Sequence, residues 1–146
     1  MLNKWQFWVV GAALAFLGLA IFGYRQSVPS TERAQGPQPQ IIVEPASYNF
    51  GELIFGVIAE TKFKIKNAGP GVLQISRLTT SCSCTTASVG KNQLNPGEET
   101  ELVVRYDTSA MGSGSHGTGQ QDRIIYVKSN DPVRPQVELT TTAFVK

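Results

Sequence analysis

The residues best able to do chemistry lie in one short stretch, TSCSCTT at positions 80–86, which contains both cysteines of the chain. Only Ser83 separates Cys82 from Cys84, and hydroxyl side chains flank the pair. Two thiols this close in sequence can form a disulfide, exchange that disulfide with another thiol, or bind a soft metal such as Cu(I) or Zn(II). The residue types alone leave these three roles open.

A structural disulfide between Cys82 and Cys84 requires the chain to bend. In a regular strand the Cα atoms of residues i and i+2 lie about 6.5–7 Å apart, whereas a disulfide prefers about 5.5–6 Å. The ring would close a very small loop, so it would add little stability by restricting the unfolded chain. Oxidising conditions outside the cytoplasm favour such a bond, and two semi-buried thiols lining a sheet are the reduced form of the same structural role.

The redox and metal hypotheses need more than two sulfurs. A thioredoxin-type site spaces its cysteines by two residues and places one at a helix N-terminus, but the spacing here is one and no helical pattern follows. A metal bound by Cys82 and Cys84 would need His116 or Met111 as a third ligand, and a closed zinc site usually has four. A partner chain would have to complete the site, so no resident metal or cofactor is expected.

The remaining polar residues do not predict an enzyme. His116 is the only histidine and lies in the run GSGSHGTG, where the glycines leave an imidazole poorly positioned for general-base catalysis. No lysine followed by serine or threonine completes a phosphate-binding loop there. The stretch 109–121 instead predicts a long loop, in which Met111 and His116 are candidates for partner recognition.

The elements that would position these residues begin with an apolar segment at positions 5–24. Its twenty residues lie between Lys4 and Arg25 and carry no formal charge. A helix of this length spans about 30 Å, the thickness of a bilayer hydrocarbon core, and aromatic side chains near both ends fit the headgroup level. A signal peptide cleaved after Ala20 is the alternative. The segment is predicted to be an uncleaved transmembrane anchor.

One face of this helix carries four residues at steps of four, three and four: Gly11, Ala15, Gly18 and Phe22. Small residues in such a stripe let another helix approach closely, which indicates docking beside a membrane protein. The polar residues 25–40, rich in Pro, Gln and Ser, predict an extended linker. The flanking charges barely discriminate between orientations, but the short N-terminal tail and the β-rich remainder favour an exported C-terminal domain.

From position 41 to 146, short alternating runs separated by turn residues predict strands. In ETKFKIKN, Phe63 and Ile65 face inward while the three lysines beside them face outward. We interpret these lysines as a solvated strand face rather than a binding patch. About seven such runs without a helix predict an all-β, immunoglobulin-like antiparallel sandwich over residues 41–146. Its ten basic and ten acidic residues give no net charge, which argues against nucleic-acid binding.

Four motifs occur in this order along the sandwich: NFGEL, KIKNAGPGVLQISRLTTSCSCTT, LNPGEETELVVRYDT and IIYVKSNDP. As a set they resemble a bacterial immunoglobulin-like family of unknown function, similar to Hydin-type and major-sperm-protein-like domains, over about residues 41–145. The resemblance implies an exported sandwich, often tethered or fused to other modules, without an established reaction. The chain departs from the family pattern at Ser83, where Gly is frequent, and in the longer loop at 109–121.

Together these features predict an exported, non-enzymatic binding or scaffold protein, held in a bacterial cell membrane by one span with its C-terminal domain on the periplasmic side. Such a protein would be an accessory subunit of a larger membrane protein complex. Its predicted partners are that complex, through the helix and the sandwich, and membrane lipid, with no nucleic acid and no small-molecule substrate. The alternative is a thiol-redox or copper-handling assembly factor that uses Cys82 and Cys84.

Overall fold

The computed structural model describes residues 36–114 and 117–146. The predicted anchor with its helix-docking stripe, and His116, lie outside the described residues. Within these two ranges no helix has the length and apolar character to cross a membrane. The folded unit begins at Gly36, so residues 36–40 of the predicted linker are part of the domain.

Nine strands build the described domain. They are β1 (Ile41–Glu44), β2 (Ser47–Leu53), β3 (Ile58–Asn67), β4 (Leu73–Thr80), β5 (Thr85–Val89), β6 (Gln93–Leu94), β7 (Glu99–Asp107), β8 (Gly119–Ser129) and β9 (Gln136–Val145). A four-stranded sheet has the order β1-β3-β7-β5, and a five-stranded sheet has the order β2-β9-β8-β4-β6. The prediction of an all-β domain is confirmed for the described residues.

Two details of the predicted architecture are wrong. The sandwich is not purely antiparallel, because β2 pairs with β9 in parallel: the chain leaves the first sheet after β1 and joins the edge of the second. The number of strands exceeds seven because the described domain also contains the short strands β5 and β6, which the sequence analysis does not predict. The polar run of β5 becomes a strand by pairing with β7 along its whole length, and such non-local pairing leaves little trace in local sequence. Because β8 begins at Gly119, the loop predicted at 109–121 is also shorter than expected.

The core lies between the two sheets and follows the predicted alternation. The fully buried apolar side chains from the long strands include Phe63, Ile65, Leu102, Val104, Ile125, Val127 and Leu139. The three lysines of β3 face solvent, where Lys62 lies 2.9 Å from Glu101 and Lys64 lies 3.1 Å from Glu99 on the neighbouring strand. These exposed pairs add little stability individually, but they occupy the outer face of the first sheet with balanced charge.

The strand directions place the loops at two opposite ends of the sandwich. One end, called the cysteine end below, consists of the connections 54–57, 81–84 and 108–118. The opposite end contains the β3–β4 turn and the β8–β9 turn. The first described residues reach the domain at that opposite end, because Gln40 O accepts a hydrogen bond from Ala68 N at 2.8 Å and Gln38 O accepts one from Gly71 N at 3.1 Å.

Candidate functional site at the cysteine end

Cys82 and Cys84 are joined by a disulfide in the turn between β4 and β5. Their Cα atoms are 5.3 Å apart, closer than in a regular strand, so the chain makes the bend that a bond between i and i+2 requires. The Thr80 hydroxyl holds this bend, since its oxygen lies 2.9 Å from the carbonyl oxygens of both Cys82 and Thr85. The turn is also tied to β7, where Asp107 N donates to Cys84 O at 2.9 Å.

The two cysteines differ in burial. Cys84 is 2% exposed and belongs to a small core cluster with Tyr106, Ala143 and Val145. Cys82 is half-buried and packs against the edge of the same cluster. One sulfur-bearing residue is therefore part of the interior, and the other lies at its boundary with solvent.

Arg123 on β8 contacts the buried cysteine. Its Nε lies 3.0 Å from Cys84 Sγ, and its guanidinium carbon lies 5.5 Å from the centre of the Tyr106 ring. Among its other contacts, Nη1 donates to Asp122 O at 2.9 Å and Nη2 donates to Gln121 Oε1. These contacts hold a permanently cationic side chain against a sulfur atom.

Arg123 was not identified from the sequence, although the alternation of residues along β8 indicates that its side chain lies on the inward face. Successive side chains of a strand alternate between faces, so Arg123 shares its face with Ile125 and Val127, both fully buried. A charged residue on an inward-facing position needs a partner. Its partner is Cys84, thirty-nine residues earlier in the chain, and no local pattern reveals that pairing.

A hydroxyl group lies beside both sulfurs. Thr85 is 3% exposed, and its Oγ1 is 3.6 Å from Cys82 Sγ and 3.7 Å from Cys84 Sγ. A threonine hydroxyl can rotate its hydrogen towards either atom. The disulfide therefore has two potential donors nearby: the Arg123 guanidinium contacts Cys84, and the Thr85 hydroxyl reaches both sulfurs.

An open cleft of about 270 Å³ lies beside the turn. It is lined by Ile58, Ser83, Cys84, Thr86, Arg105, Asp107 and Ala110. The Ser109 hydroxyl and the Ser109 and Ala110 backbone amides hydrogen-bond to Asp107 and hold the pKa of that carboxyl below its ordinary value, against a smaller opposing effect of desolvation. The cleft thus holds one carboxylate and one guanidinium at neutral pH.

A group of exposed apolar side chains at this end, called the apolar rim below, consists of Ile54, Val57, Ile58 and Met111, of which Ile58 also lines the cleft. Ile54 is 71% exposed and Ile58 is 57% exposed. The buried Thr108 positions this rim: its hydroxyl donates to Val57 O at 2.9 Å and accepts from Gly56 N at 2.9 Å. The cysteine end therefore presents large apolar side chains on a hydrogen-bonded loop.

The predicted recognition and metal residues come together only in part. Met111 is 41% exposed, and its Sδ lies 4.0 Å from Ser83 Oγ, which brings the β7–β8 loop to the cysteine turn. His116, the other candidate, lies outside the described residues. In the described parts of the chain, no three His, Cys, Asp or Glu side chains are grouped so as to hold a metal ion. Whether Cys82, Cys84 and His116 could bind a metal, the less favoured hypothesis, is not tested by the described residues.

Comparison with known proteins identifies a family and a fold. The family model described as "Protein of unknown function (DUF1573)" matches residues 41–145. A crystal structure of a protein of unknown function from Porphyromonas gingivalis W83 is similar, with a TM-score of 0.63 and 24% identity, over 81% of this chain and 51% of that chain. The chain thus spans about half the length of that protein. A search of curated protein sequences found no relative.

Two further structures share the fold alone. The ASH/PapD-like domain 7 of human CEP192 has a TM-score of 0.58 at 10% identity, covering 75% of this chain and 87% of that domain chain. The periplasmic chaperone SfaE has a TM-score of 0.50 at 7% identity, covering 73% of this chain and 58% of the chaperone. The domain is therefore an immunoglobulin-like sandwich with PapD-like neighbours, and the likeness to Hydin-type and major-sperm-protein-like domains stays a prediction.

Proposed function

The chain belongs to this family of proteins of unknown function, and from that premise we propose that it is a non-enzymatic binding protein of a bacterial cell membrane. Residues 5–24 would anchor it, and the sandwich would lie on the periplasmic side as part of an accessory subunit. Its partner would be the exported portion of a membrane protein complex, bound through the cysteine end. The observation that carries this proposal is the apolar rim.

The rim has the character of a protein-binding surface. Exposed apolar area costs about 25 cal/mol per Å² relative to burial, and side chains as large as Ile54 and Ile58 gain most from a partner that covers them. Charged pairs lie nearby on the adjoining strands, with Arg105 Nε 3.5 Å from Glu60 Oε2 and Lys146 Nζ 2.6 Å from Glu52 Oε2. An apolar centre with polar surroundings is typical of protein–protein interfaces.

The way the chain reaches the domain favours this surface over the opposite end. Residues 36–40 pack on the β3–β4 turn, so that end is partly covered by the chain itself. Strand β3 has ten residues and separates the two ends by roughly 30 Å. A tether attached at Gly36 would therefore leave the cysteine end accessible.

The charge of the domain supports a partner recognised by shape and apolar contact. Residues 36–146 contain ten Lys/Arg and ten Asp/Glu, so the net charge of the domain is zero. A protein that binds nucleic acid or a strongly anionic lipid surface normally carries an excess of basic residues. Binding to a protein surface does not require such an excess, because buried anchor residues rather than net charge supply most of the binding energy.

Site-specific photocrosslinking tests the proposal on the full-length protein in its native membrane. A crosslinker placed at Ile54 should capture a membrane protein subunit, and Ile54→Ser with Ile58→Ser should abolish co-purification of that subunit. Val133 is the control, because it is 84% exposed but lies in the β8–β9 turn at the opposite end. Equal capture from both positions, or recovery of the monomer alone in mild detergent, would contradict the proposal.

The second candidate function is a thiol-redox or copper-handling assembly factor. The contact between Arg123 and Cys84 favours the thiol branch, because a cation beside a sulfur stabilises its thiolate. Thiolate ligands for copper exist only after the disulfide is reduced, and His116 or a partner chain would then have to supply another donor. Copper titration of the reduced protein, with Cys82→Ser and Cys84→Ser as the control, measures copper binding separately from thiol exchange.

A further inference from the structure

We infer that the Cys82–Cys84 disulfide is an exchange site with a fixed direction of attack, which oxidises the dithiol of another protein. The incoming thiolate attacks Cys82, and Cys84 is the leaving group. This activity goes beyond binding, and it depends on residues of the turn rather than on the apolar rim. Two observations carry the direction: the unequal burial of the two cysteines and the contact between Arg123 and Cys84.

Burial selects the sulfur that is attacked. Thiol–disulfide exchange requires the nucleophile to reach one sulfur along the line of the bond that breaks, so the accessible sulfur reacts. Cys84 is 2% exposed and is packed against Tyr106, Ala143 and Val145, so only a small part of it, on the wall of the cleft, reaches solvent. Cys82 is half-buried at the edge of that cluster. The approach from solvent therefore leads to Cys82.

Electrostatics selects the same direction. Exchange is faster when the departing thiol has a low pKa, because negative charge accumulates on the leaving sulfur. The guanidinium of Arg123 lies with its Nε 3.0 Å from Cys84 Sγ, and it keeps its charge at any physiological pH. Thr85 Oγ1 lies 3.6 Å from Cys82 Sγ and 3.7 Å from Cys84 Sγ, so it can donate to either sulfur and does not itself set the direction. Both groups are in place before the bond breaks.

Two other charged side chains lie near the turn. Arg105 and Asp107 on β7 both line the cleft with Cys84, so their opposite charges largely offset each other. Arg105 is turned towards Glu60, with its Nε 3.5 Å from Glu60 Oε2. The cation in direct contact with the leaving sulfur is therefore Arg123, and its charge should dominate the rate.

The proposed exchange balances in two steps. A thiolate of the partner dithiol attacks Cys82 Sγ, the disulfide bond breaks, and its electron pair leaves on Cys84 as a thiolate. The partner is then joined to Cys82 in a mixed disulfide. The second thiolate of the partner attacks its own first sulfur, which closes the partner's disulfide and releases Cys82 as a thiolate. The partner loses two electrons and two protons, and Cys82 and Cys84 gain them as two thiols.

The direction of attack is measured with glutathione, a monothiol that has no second thiol of its own to resolve the mixed disulfide, so an early quench captures the product of the first step. Full-length protein in detergent is mixed with glutathione, quenched within seconds by acid and maleimide, digested and sequenced by tandem mass spectrometry. We expect glutathione on Cys82 and maleimide on Cys84 in at least about nine of ten modified chains. Glutathione on Cys84, an even mixture, or a disulfide that resists millimolar glutathione and dithiothreitol would overturn the inference. No partner protein is needed, so a failure here leaves the binding proposal standing.

The role of Arg123 is measured by the rate of reduction with dithiothreitol. We expect Arg123→Gln to slow the reaction about fivefold or more and Arg123→Lys to restore part of the rate, because the leaving thiolate loses and then regains a cation. Arg105→Gln is the matched control, since it removes the same charge from a residue that lines the cleft with Cys84 but is turned towards Glu60, and its rate should change less than twofold. Equal slowing in both glutamine variants would contradict the proposal. Thermal unfolding confirms that each variant is folded, and the glutathione experiment needs no variant at all.

Discussion

The carboxylate of Asp131 accepts a hydrogen bond from the backbone N–H of Ile41 at 2.9 Å, across ninety residues of sequence. The contact joins β1 of the first sheet to the β8–β9 turn of the second. Asp131 also accepts hydrogen bonds from Val133 N at 2.8 Å and Arg134 N at 3.0 Å. Burial alone would raise the pKa of this carboxyl, but the three amide donors and the charge of Arg134 outweigh it and leave the pKa below its ordinary value.

Replacement of Asp131 by Asn should destabilise the domain most clearly at neutral pH. The asparagine side chain has one acceptor oxygen and no charge, whereas the Asp131 carboxylate accepts from three backbone N–H groups. We therefore expect a loss of about 1–3 kcal/mol in the free energy of unfolding at pH 7. A carboxyl with a lowered folded-state pKa stabilises the protein above its unfolded-state pKa, near about 3.9, and stops doing so as the pH falls through the folded-state value. Urea unfolding at pH 7 and at pH 3 should therefore show the wild-type advantage shrinking at the lower pH.

The control for this experiment is Glu52→Gln, which neutralises an acid whose side chain is 67% exposed. Its effect should stay small at both pH values because exposed ion pairs contribute little. A loss at Asp131 that is equal at pH 7 and pH 3 would mean that the negative charge plays no part. The amide geometry alone would then account for the stability.

Asn67 should be the least replaceable polar side chain at the opposite end. It is fully buried, and its Nδ2 donates to Gly71 O at 2.7 Å and Leu94 O at 3.0 Å, while its Oδ1 accepts from Gly69 N at 3.1 Å. Asn67→Ala leaves these buried backbone groups without partners, so we expect a loss of about 2–4 kcal/mol in chemical denaturation. Asn67→Asp should be nearly as harmful, because an ionised carboxylate cannot donate.

Asn130 is the matched comparison for Asn67. Its side chain also bridges two backbone groups, accepting from Gln74 N at 2.7 Å and donating to Val72 O at 3.0 Å, but it lies on the surface. Water can replace both contacts, so Asn130→Ala should cost about 1 kcal/mol or less. Similar losses at the two positions would show that burial does not set the cost.

The β3–β4 turn should tolerate no side chain at Gly71. A Cβ there would overlap the carbonyl oxygen of Pro37, which lies against the turn. Gly71→Ala should therefore detach residues 36–40 from the domain, measured as faster proteolysis within that segment. Gly114→Ala is the control, because a Cβ at Gly114 meets nothing within 4 Å and proteolysis of residues 36–40 should not change. If proteolysis of residues 36–40 is unchanged in Gly71→Ala, the turn can move enough to accept the added Cβ.

The parts of the fold that sequence alone predicts are those set by local alternation. In β3 the side chains of Phe63 and Ile65 are 1% and 0% exposed, as expected from apolar residues at every second position. The lysines between them face solvent beside acids of β7. A long strand with one buried face carries its own pattern, so its existence and its inward face can be read from the residues.

The parts that escaped prediction depend on pairing between distant residues. β2 joins β9 in parallel, and nothing in SYNFGEL indicates which edge it will occupy. The burial of Asp131 likewise depends on Ile41, because the turn motif SNDP alone predicts an exposed acid. At the candidate site, the cysteine spacing predicted a required bend, but the partner of the sulfur, Arg123, comes from β8 and could be placed only once the sheets were aligned.

Thr108 should control the apolar rim without being part of its surface. It is 1% exposed, and its hydroxyl accepts from Gly56 N and donates to Val57 O, both at 2.9 Å. Thr108→Val keeps the shape but removes these contacts, so we expect a loss of about 1–3 kcal/mol in local stability and faster amide exchange confined to residues 54–57. Partner capture through Ile54 should weaken although every exposed side chain is unchanged, because a loosened loop must be ordered on binding.

Thr118→Val is the control, since its hydroxyl makes a 3.3 Å contact to Gly114 O within the β7–β8 loop and should leave exchange at 54–57 as in the wild type. If Thr108→Val speeds exchange at 54–57 but capture is undiminished, the order of this loop does not contribute to binding.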